Sequence, residues 1–257
     1  MSDLARLGWA RFPVDPAVRA WAEAARRAAV AALSAPRHAH WWRHRDTWFV
    51  GVDALASNAE GRVAGGPPLA GAVIEATGWA GPWHRAQVSA VRPGYPKRDP
   101  GESESAHRYR ATRDAAHVDG LHAEGPARRR HLREPHAFIL GLPLTAADPG
   151  ASPLVVWEGS HDLMRAAFRA AFAGLDPARW SEVDVTDAYH EARRDVFASC
   201  KRIEMPVAPG EAVLLHRLAL HGVAPWAAVA RAAPEGRLVA YFRPLMPGGA
   251  EAWLSAP

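Results

Sequence analysis

The chain has 257 residues, 49% of them hydrophobic and 23% charged, which is enough apolar content for a real core and too much for wholesale disorder. No apolar run approaches the ~20 residues of a membrane span, and the single cysteine, Cys200, excludes an internal disulfide and any multi-cysteine zinc site. The formal charge of +4 comes from an Arg-dominated basic set with only 2 Lys, beside 55 Ala; this skew resembles codon bias, and with no basic tract longer than Arg128-Arg129-Arg130 nucleic acid is not an expected partner.

In chain order, the opening residues lack the apolar stretch of a secretory signal, which predicts a cytoplasmic protein. Asp15 as cap, Pro16 at the first helical position and Pro36 as a stop predict a helix over 16–34. Short β-like runs follow at Thr47–Val52, Ala70–Ala76, Ala86–Val91, Ala115–Asp119 and His136–Leu144. More lie at Leu154–Trp157, Arg202–Val207, Ala212–His221 and Leu238–Phe242. Gly94–Arg113 is polar and reads as a loop. Two helices interrupt the strands, one capped by Ser160 and running from Asp162 to Ala173, the other over Thr186–Ala198. Many short strands punctuated by 21 Gly and 22 Pro, without βαβ alternation, predict a β-sandwich or barrel. No repeat, linker or domain boundary is visible, so 1–257 is read as one domain.

Thirteen histidines direct attention to metal sites. A His-x-Asp pair on a strand places two ligands on one face, and a distant histidine completes a 2-His-1-carboxylate set, which leaves adjacent positions open for non-heme Fe(II) chemistry. His117-Val118-Asp119 ends a short apolar strand and has the required geometry. His44-Arg45-Asp46 lies in a Trp- and Arg-rich turn and reads as packing or surface. His122-Ala123-Glu124 falls in the Gly120–Pro135 loop, without strand geometry. Regular alternation puts His216 and His221 on opposite faces, so one strand cannot offer both to one metal.

The ordered series His117-Val-Asp119, Glu158-Gly-Ser-His161, Pro209-Gly-Glu-Ala-Val-Leu-Leu-His216-Arg-Leu-Ala-Leu-His221-Gly222 and Arg237-Leu-Val-Ala-Tyr-Phe242 resembles the phytanoyl-CoA dioxygenase family of Fe(II)/2-oxoglutarate oxygenases. The resemblance covers about residues 84–245; Glu158 stands where that family usually has Pro. It implies a mainly β double-stranded β-helix (jelly-roll, cupin-like). An N-terminal helical region, about 1–45, and inserted α-helices would pack on its major sheet. It implies His117, Asp119 and His221 as iron ligands and Arg237 as partner of the distal carboxylate of 2-oxoglutarate. Arg231 competes for that role because the stretch between His221 and Arg237 is long. Gln87 is a weaker candidate contact to 2-oxoglutarate. His161 is expected to tie a turn to the barrel. The implied cofactors are Fe(II) and 2-oxoglutarate, with dioxygen as co-reactant and hydroxylation of a small molecule as the reaction. Related halogenases replace the carboxylate ligand by a small residue, and here Asp119 occupies that position. A basic excess between Arg92 and Arg133 points to a carboxylate- or phosphate-bearing substrate. The alternatives are a cupin-type isomerase or hydrolase without 2-oxoglutarate, and a non-catalytic jelly-roll.

Overall fold

The computed structural model describes residues 3–257. A short helix α1 (Asp3–Leu7) and strand β1 (Trp9–Phe12) precede the long helix α2 (Pro16–Ser34). Asp15 caps α2 as expected, accepting from the Ala17 N–H at 2.8 Å. Its other oxygen accepts from Ala72 N–H at 3.0 Å, at the start of α3 (Ala72–Thr77). The strand expected over Ala70–Ala76 is therefore a helix: a borrowed carboxylate at its N-terminus and Gly78 in the left-handed region at its end outweigh the β-branched Val73-Ile74 pair.

Strands β2 (Trp42–Arg43), β3 (Trp48–Leu55) and β4 (Ala86–Val91) come next. Gly94–Arg113, read as loop, contains α4 (Glu104–Thr112), capped by Ser103. The hairpin β5 (Leu121–Glu124) and β6 (Arg129–Leu132) likewise occupies the span expected to be a loop. Then follow β7 (Phe138–Pro143), β8 (Leu154–Trp157), α5 (Ser160–Ala171), α6 (Thr186–Ser199) and β9 (Arg202–Met205). The chain closes with β10 (Ala212–His216), β11 (His221–Val223), β12 (Arg237–Phe242) and α7 (Gly249–Ser255).

Two antiparallel sheets face each other, the arrangement of a jelly-roll. The major sheet runs β1-β10-β7-β12-β4-β3-β2 and the minor one β11-β8-β9. Period-2 alternation divides the major sheet cleanly. Val88, Leu140, Leu214 and Ala240 point outward onto Trp21, Ala25 and Ala29 of α2. Ile139, Val213, Val239 and Tyr241 point inward, against Leu154, Val156 and Met205 of the minor sheet. The inserted helices α5 and α6 pack outside the minor sheet, on Val155 and Trp157, not on the major sheet as expected. Ser160 does not cap α5; its hydroxyl accepts from Leu220 N–H at 2.9 Å.

The run expected as one strand, Ala212–His221, breaks after His216. Residues 217–220 turn a corner, so β10 belongs to the major sheet and β11 to the minor. Among the described residues no helix is long and apolar enough to cross a membrane.

Candidate functional site

The site begins at that corner. His221 opens β11, and His117 lies directly across from it: His117 N–H donates to His221 O at 2.8 Å and His221 N–H to His117 O at 3.0 Å. This isolated bridge is all the ladder that the expected strand Ala115–Asp119 makes. Gly222 permits the approach, because a Cβ there would stand 2.2 Å from the Asp114 carbonyl oxygen. Asp114 is buried and accepts both arms of a bidentate pair from Arg202 on β9, at 2.7 and 2.8 Å. The segment bearing His117 is thus pinned to two strands of the minor sheet.

The two imidazole rings lie 4.6 Å apart. One ligand atom from each of His117, Asp119 and His221 can be chosen so that all lie within 4.8 Å of one another. His117 Nε2 is 3.3 Å from Asp119 Oδ1, and His221 Nε2 is 3.8 Å from Asp119 Oδ2. Each histidine places Nδ1 on the carbonyl two residues before it: Ala115 O at 3.0 Å for His117 and Ala219 O at 2.9 Å for His221. That contact suits a proton on Nδ1 and turns both Nε2 atoms toward Asp119, where a metal ion would take the place of the Nε2 proton of His117. The donor set, two imidazole nitrogens and a carboxylate, suits a divalent transition metal.

Charge is distributed to match. Burial disfavours the Asp119 carboxylate, but the Arg243 guanidinium and the His117 ring outweigh it and hold its pKa well below the usual range. Burial pushes His221 down to about 4, with neighbouring His117 adding to the effect. For His117 burial acts the same way, yet the hydrogen bond and charge of Asp119 win and raise it.

Above these residues opens a cavity of about 380 Å³ between the sheets. Trp48, Val50, Ile139, Leu154 and Tyr241 form its apolar wall, and Gln87, Ser89, His122, Glu134 and Arg243 its polar part. Arg237 does not line it. It starts β12 on the same inward face as Val239 and Tyr241, is buried (7% exposed), and its Nη1 has no hydrogen-bond partner among the described residues. Arg231 is exposed, in a loop whose backbone is tied to Asp148. Gln87 Oε1 accepts from Arg243 Nη2 at 2.7 Å.

The other histidine patterns fall elsewhere. His44 is buried and stacks on Trp48. With Asp99 and Glu102 it forms a second group of metal-type residues, but protein donors occupy those acids: Asp99 accepts from the backbone of His44 and Arg45, and Glu102 pairs with Arg110. His122 sits on β5, lines the cavity and meets Glu134 at 3.2 Å. His216 is buried beside His161, its Nε2 2.8 Å from Arg165 and its Nδ1 accepting from Leu218 N–H. Burial pushes it down to about 2. Sequence reasoning missed Arg243, although the period-2 face of Arg237 leads straight to it. It also missed the His122–Glu134 pair, hidden by reading the hairpin as a loop.

No family model matches the chain, and no curated protein matches it by sequence. Solved structures do resemble it. The non-heme α-ketoglutarate-dependent carbocyclase SnoK from nogalamycin biosynthesis is 13% identical, with a TM-score of 0.52 over 97% of this chain and 86% of that one. The epimerase SnoN, solved with Fe3+, α-ketoglutarate and nogalamycin RO, is 13% identical, with a TM-score of 0.44 over 98% and 86%. EctD from S. alaskensis, solved with 2-oxoglutarate and 5-hydroxyectoine, is 15% identical, with a TM-score of 0.42 over 99% and 82%. The SnoK likeness is one of fold, and with the sheet order it makes this chain a double-stranded β-helix of the cupin and jelly-roll type.

Proposed function

We propose that the protein is an Fe(II)/2-oxoglutarate-dependent dioxygenase similar to the phytanoyl-CoA dioxygenase family, built on a single domain spanning 1–257, that hydroxylates a small molecule. The observation that carries this reading is the gathering of two histidine Nε2 atoms and one carboxylate at the floor of a cavity between the sheets. His117, Asp119 and His221 would hold the iron. When bound, Fe(II) supplies activation of dioxygen coupled to oxidative decarboxylation of 2-oxoglutarate to succinate and carbon dioxide.

The chain's own residues bind, orient and exclude. Arg237 suits the distal carboxylate of 2-oxoglutarate: a buried guanidinium with an unpartnered Nη1 calls for an anionic acceptor. This favours the oxygenase over a cupin isomerase or hydrolase, which has no use for a dicarboxylate. The apolar wall of Trp48, Val50, Ile139 and Tyr241 keeps water from the substrate's reacting carbon. With Asp119 in the carboxylate position, the expected product is hydroxylated, not halogenated.

An anionic substrate is proposed from the basic excess around the His117 segment. None of those Lys and Arg residues lines the cavity, and Arg129 is paired with Asp184 and Asp187, so their role is long-range capture. Charge reversal at Arg128 and Arg130 then raises substrate KM, more at low salt. The direct test of the reading is substrate-uncoupled decarboxylation of 2-oxoglutarate. Asp119→Ala and His221→Ala abolish it, while His44→Ala and His122→Ala retain it; full activity in Asp119→Ala refutes the assignment.

A further inference from the structure

Among the described residues, Arg243 is the one Lys or Arg in contact with the candidate ligand set. The inward face of β12 carries Arg237, Val239 and Tyr241, and the same parity continues past the strand's end to residue 243. Three contacts fix the side chain and its backbone. Nη1 donates to Asp119 Oδ2 at 3.2 Å, Nη2 donates to Gln87 Oε1 at 2.7 Å, and the Arg243 N–H donates to His84 Nε2 at 2.7 Å. His84 is held as that acceptor because its Nδ1 lies 2.6 Å from Arg85 O, which places its proton on Nδ1. Gln87 on β4 holds the guanidinium and His84, just before β4, holds the Arg243 backbone, so the residue is anchored to the major sheet while the guanidinium reaches across to the His117–Asp119 segment.

The consequence concerns the two oxygens of Asp119. Oδ1 faces His117 Nε2, and Oδ2 is spent on Arg243. A planar guanidinium braced by Gln87 has little freedom to release it. Two histidine nitrogens and one carboxylate oxygen leave three of six octahedral positions open, which 2-oxoglutarate, using two, and dioxygen, using one, require. A carboxylate free to turn both oxygens to the metal would take one of them.

We propose that Arg243 is a positioning residue that restrains Asp119 to one-oxygen ligation and so keeps open the coordination position needed by 2-oxoglutarate. The proposal rests on the dioxygenase reading above. It assigns Gln87 the part of bracing Arg243.

The test uses Co(II) as a spectroscopic stand-in, with the full chain. Wild-type protein is expected to bind Co(II), and the loaded protein to bind 2-oxoglutarate, both measured by calorimetry. Arg243→Ala is expected to hold Co(II) with near wild-type affinity. Its Co(II) absorption bands should change in the absence of 2-oxoglutarate, and its affinity for 2-oxoglutarate should fall by about tenfold, a loss of about 1.4 kcal/mol. Arg243→Lys, which keeps a donor within reach of Oδ2, recovers part of both. Wild-type bands in Arg243→Ala overturn the proposal even if 2-oxoglutarate binds less well, since that pattern means direct contact with the cosubstrate. Wild-type affinity for 2-oxoglutarate overturns it as well. If Arg243→Ala fails to fold by circular dichroism, Arg243→Gln is read by the same two criteria. Absence of Co(II) binding in the wild type overturns the metal reading and the restraint with it; intact binding with an indifferent Arg243 overturns the restraint alone.

Discussion

Gly222→Ala is the smallest change that should open the site. The added Cβ would stand 2.2 Å from Asp114 O, 3.1 Å from Asp114 C and 3.2 Å from Ala116 Cα. All three are backbone atoms and cannot swing aside. To reach ordinary contact, the 114–117 segment must retreat from β11 by about 1 Å. The bond from Val223 N–H to Asp114 O, now 2.8 Å, is then lost, and the reciprocal pair between His117 and His221 is stretched. Overpacking of this kind costs about 1–3 kcal/mol, and each weakened hydrogen bond adds about 0.5–1.5 kcal/mol. A total of about 2–4 kcal/mol corresponds to a Tm lower by about 5–15 °C for a chain of this size. Metal affinity should fall by at least about tenfold, because ligand distances tolerate only about 0.2 Å. Gly141→Ala is the control: its Cβ presses on Val213 Cγ2 at 2.8 Å and Tyr241 Cε1 at 2.9 Å, core side chains rather than the 114–117 backbone, so stability drops while metal binding stays. Thermal unfolding by circular dichroism and a Co(II) titration measure both effects. A Gly222→Ala protein with unchanged Tm and metal affinity would refute the reasoning.

Two further outcomes follow from neighbouring groups. Arg202→Ala leaves the buried Asp114 carboxylate without its bidentate partner. Because Arg202 is itself 39% exposed, the cost should be about 1–3 kcal/mol, below that of breaking a fully buried pair; chemical denaturation with an unshifted midpoint would contradict this. Burial, with Arg217 beside it, holds His216 neutral with its pKa pushed from 6.5 down to about 2. The unfolded imidazole takes up its proton first, so stability present above pH 6.5 is lost as pH falls toward the folded value, by up to about 1.4 kcal/mol per pH unit. His216→Gln should flatten the fall in urea midpoint on acidification from near-neutral pH, and an unchanged slope would show that another group governs it.

Local chemistry made much of the fold legible. Asp15 and Pro16 marked the start of α2, and short apolar runs bounded by Gly and Pro marked β4, β7 and β12. The His117–Asp119 pair stood out by its strand spacing and His221 only through the family resemblance, and the structure brings them together at one corner. What stayed hidden depends on residues far apart in the chain. Val73-Ile74 read as strand because the carboxylate that starts α3 belongs to Asp15. The break after His216 was not read from the strand-like run 212–221, because it is held by Ser160 accepting from Leu220 N–H and by Arg217 donating to Trp253 O. Arg243 directly follows the run that Arg237 opens and was passed over, because its partners, Asp119, Gln87 and His84, are more than a hundred residues away.

The most direct test of the central claim is an anaerobic titration of Fe(II)-loaded protein with 2-oxoglutarate, followed by visible absorption. The account predicts a weak metal-to-ligand charge-transfer band that grows to saturation at one equivalent, is absent in Asp119→Ala, and is weakened in Arg237→Ala, where the distal carboxylate loses its partner. Protein that binds Fe(II) yet develops no band at saturating 2-oxoglutarate would contradict the account and return the site to a metal centre that does not use this cosubstrate.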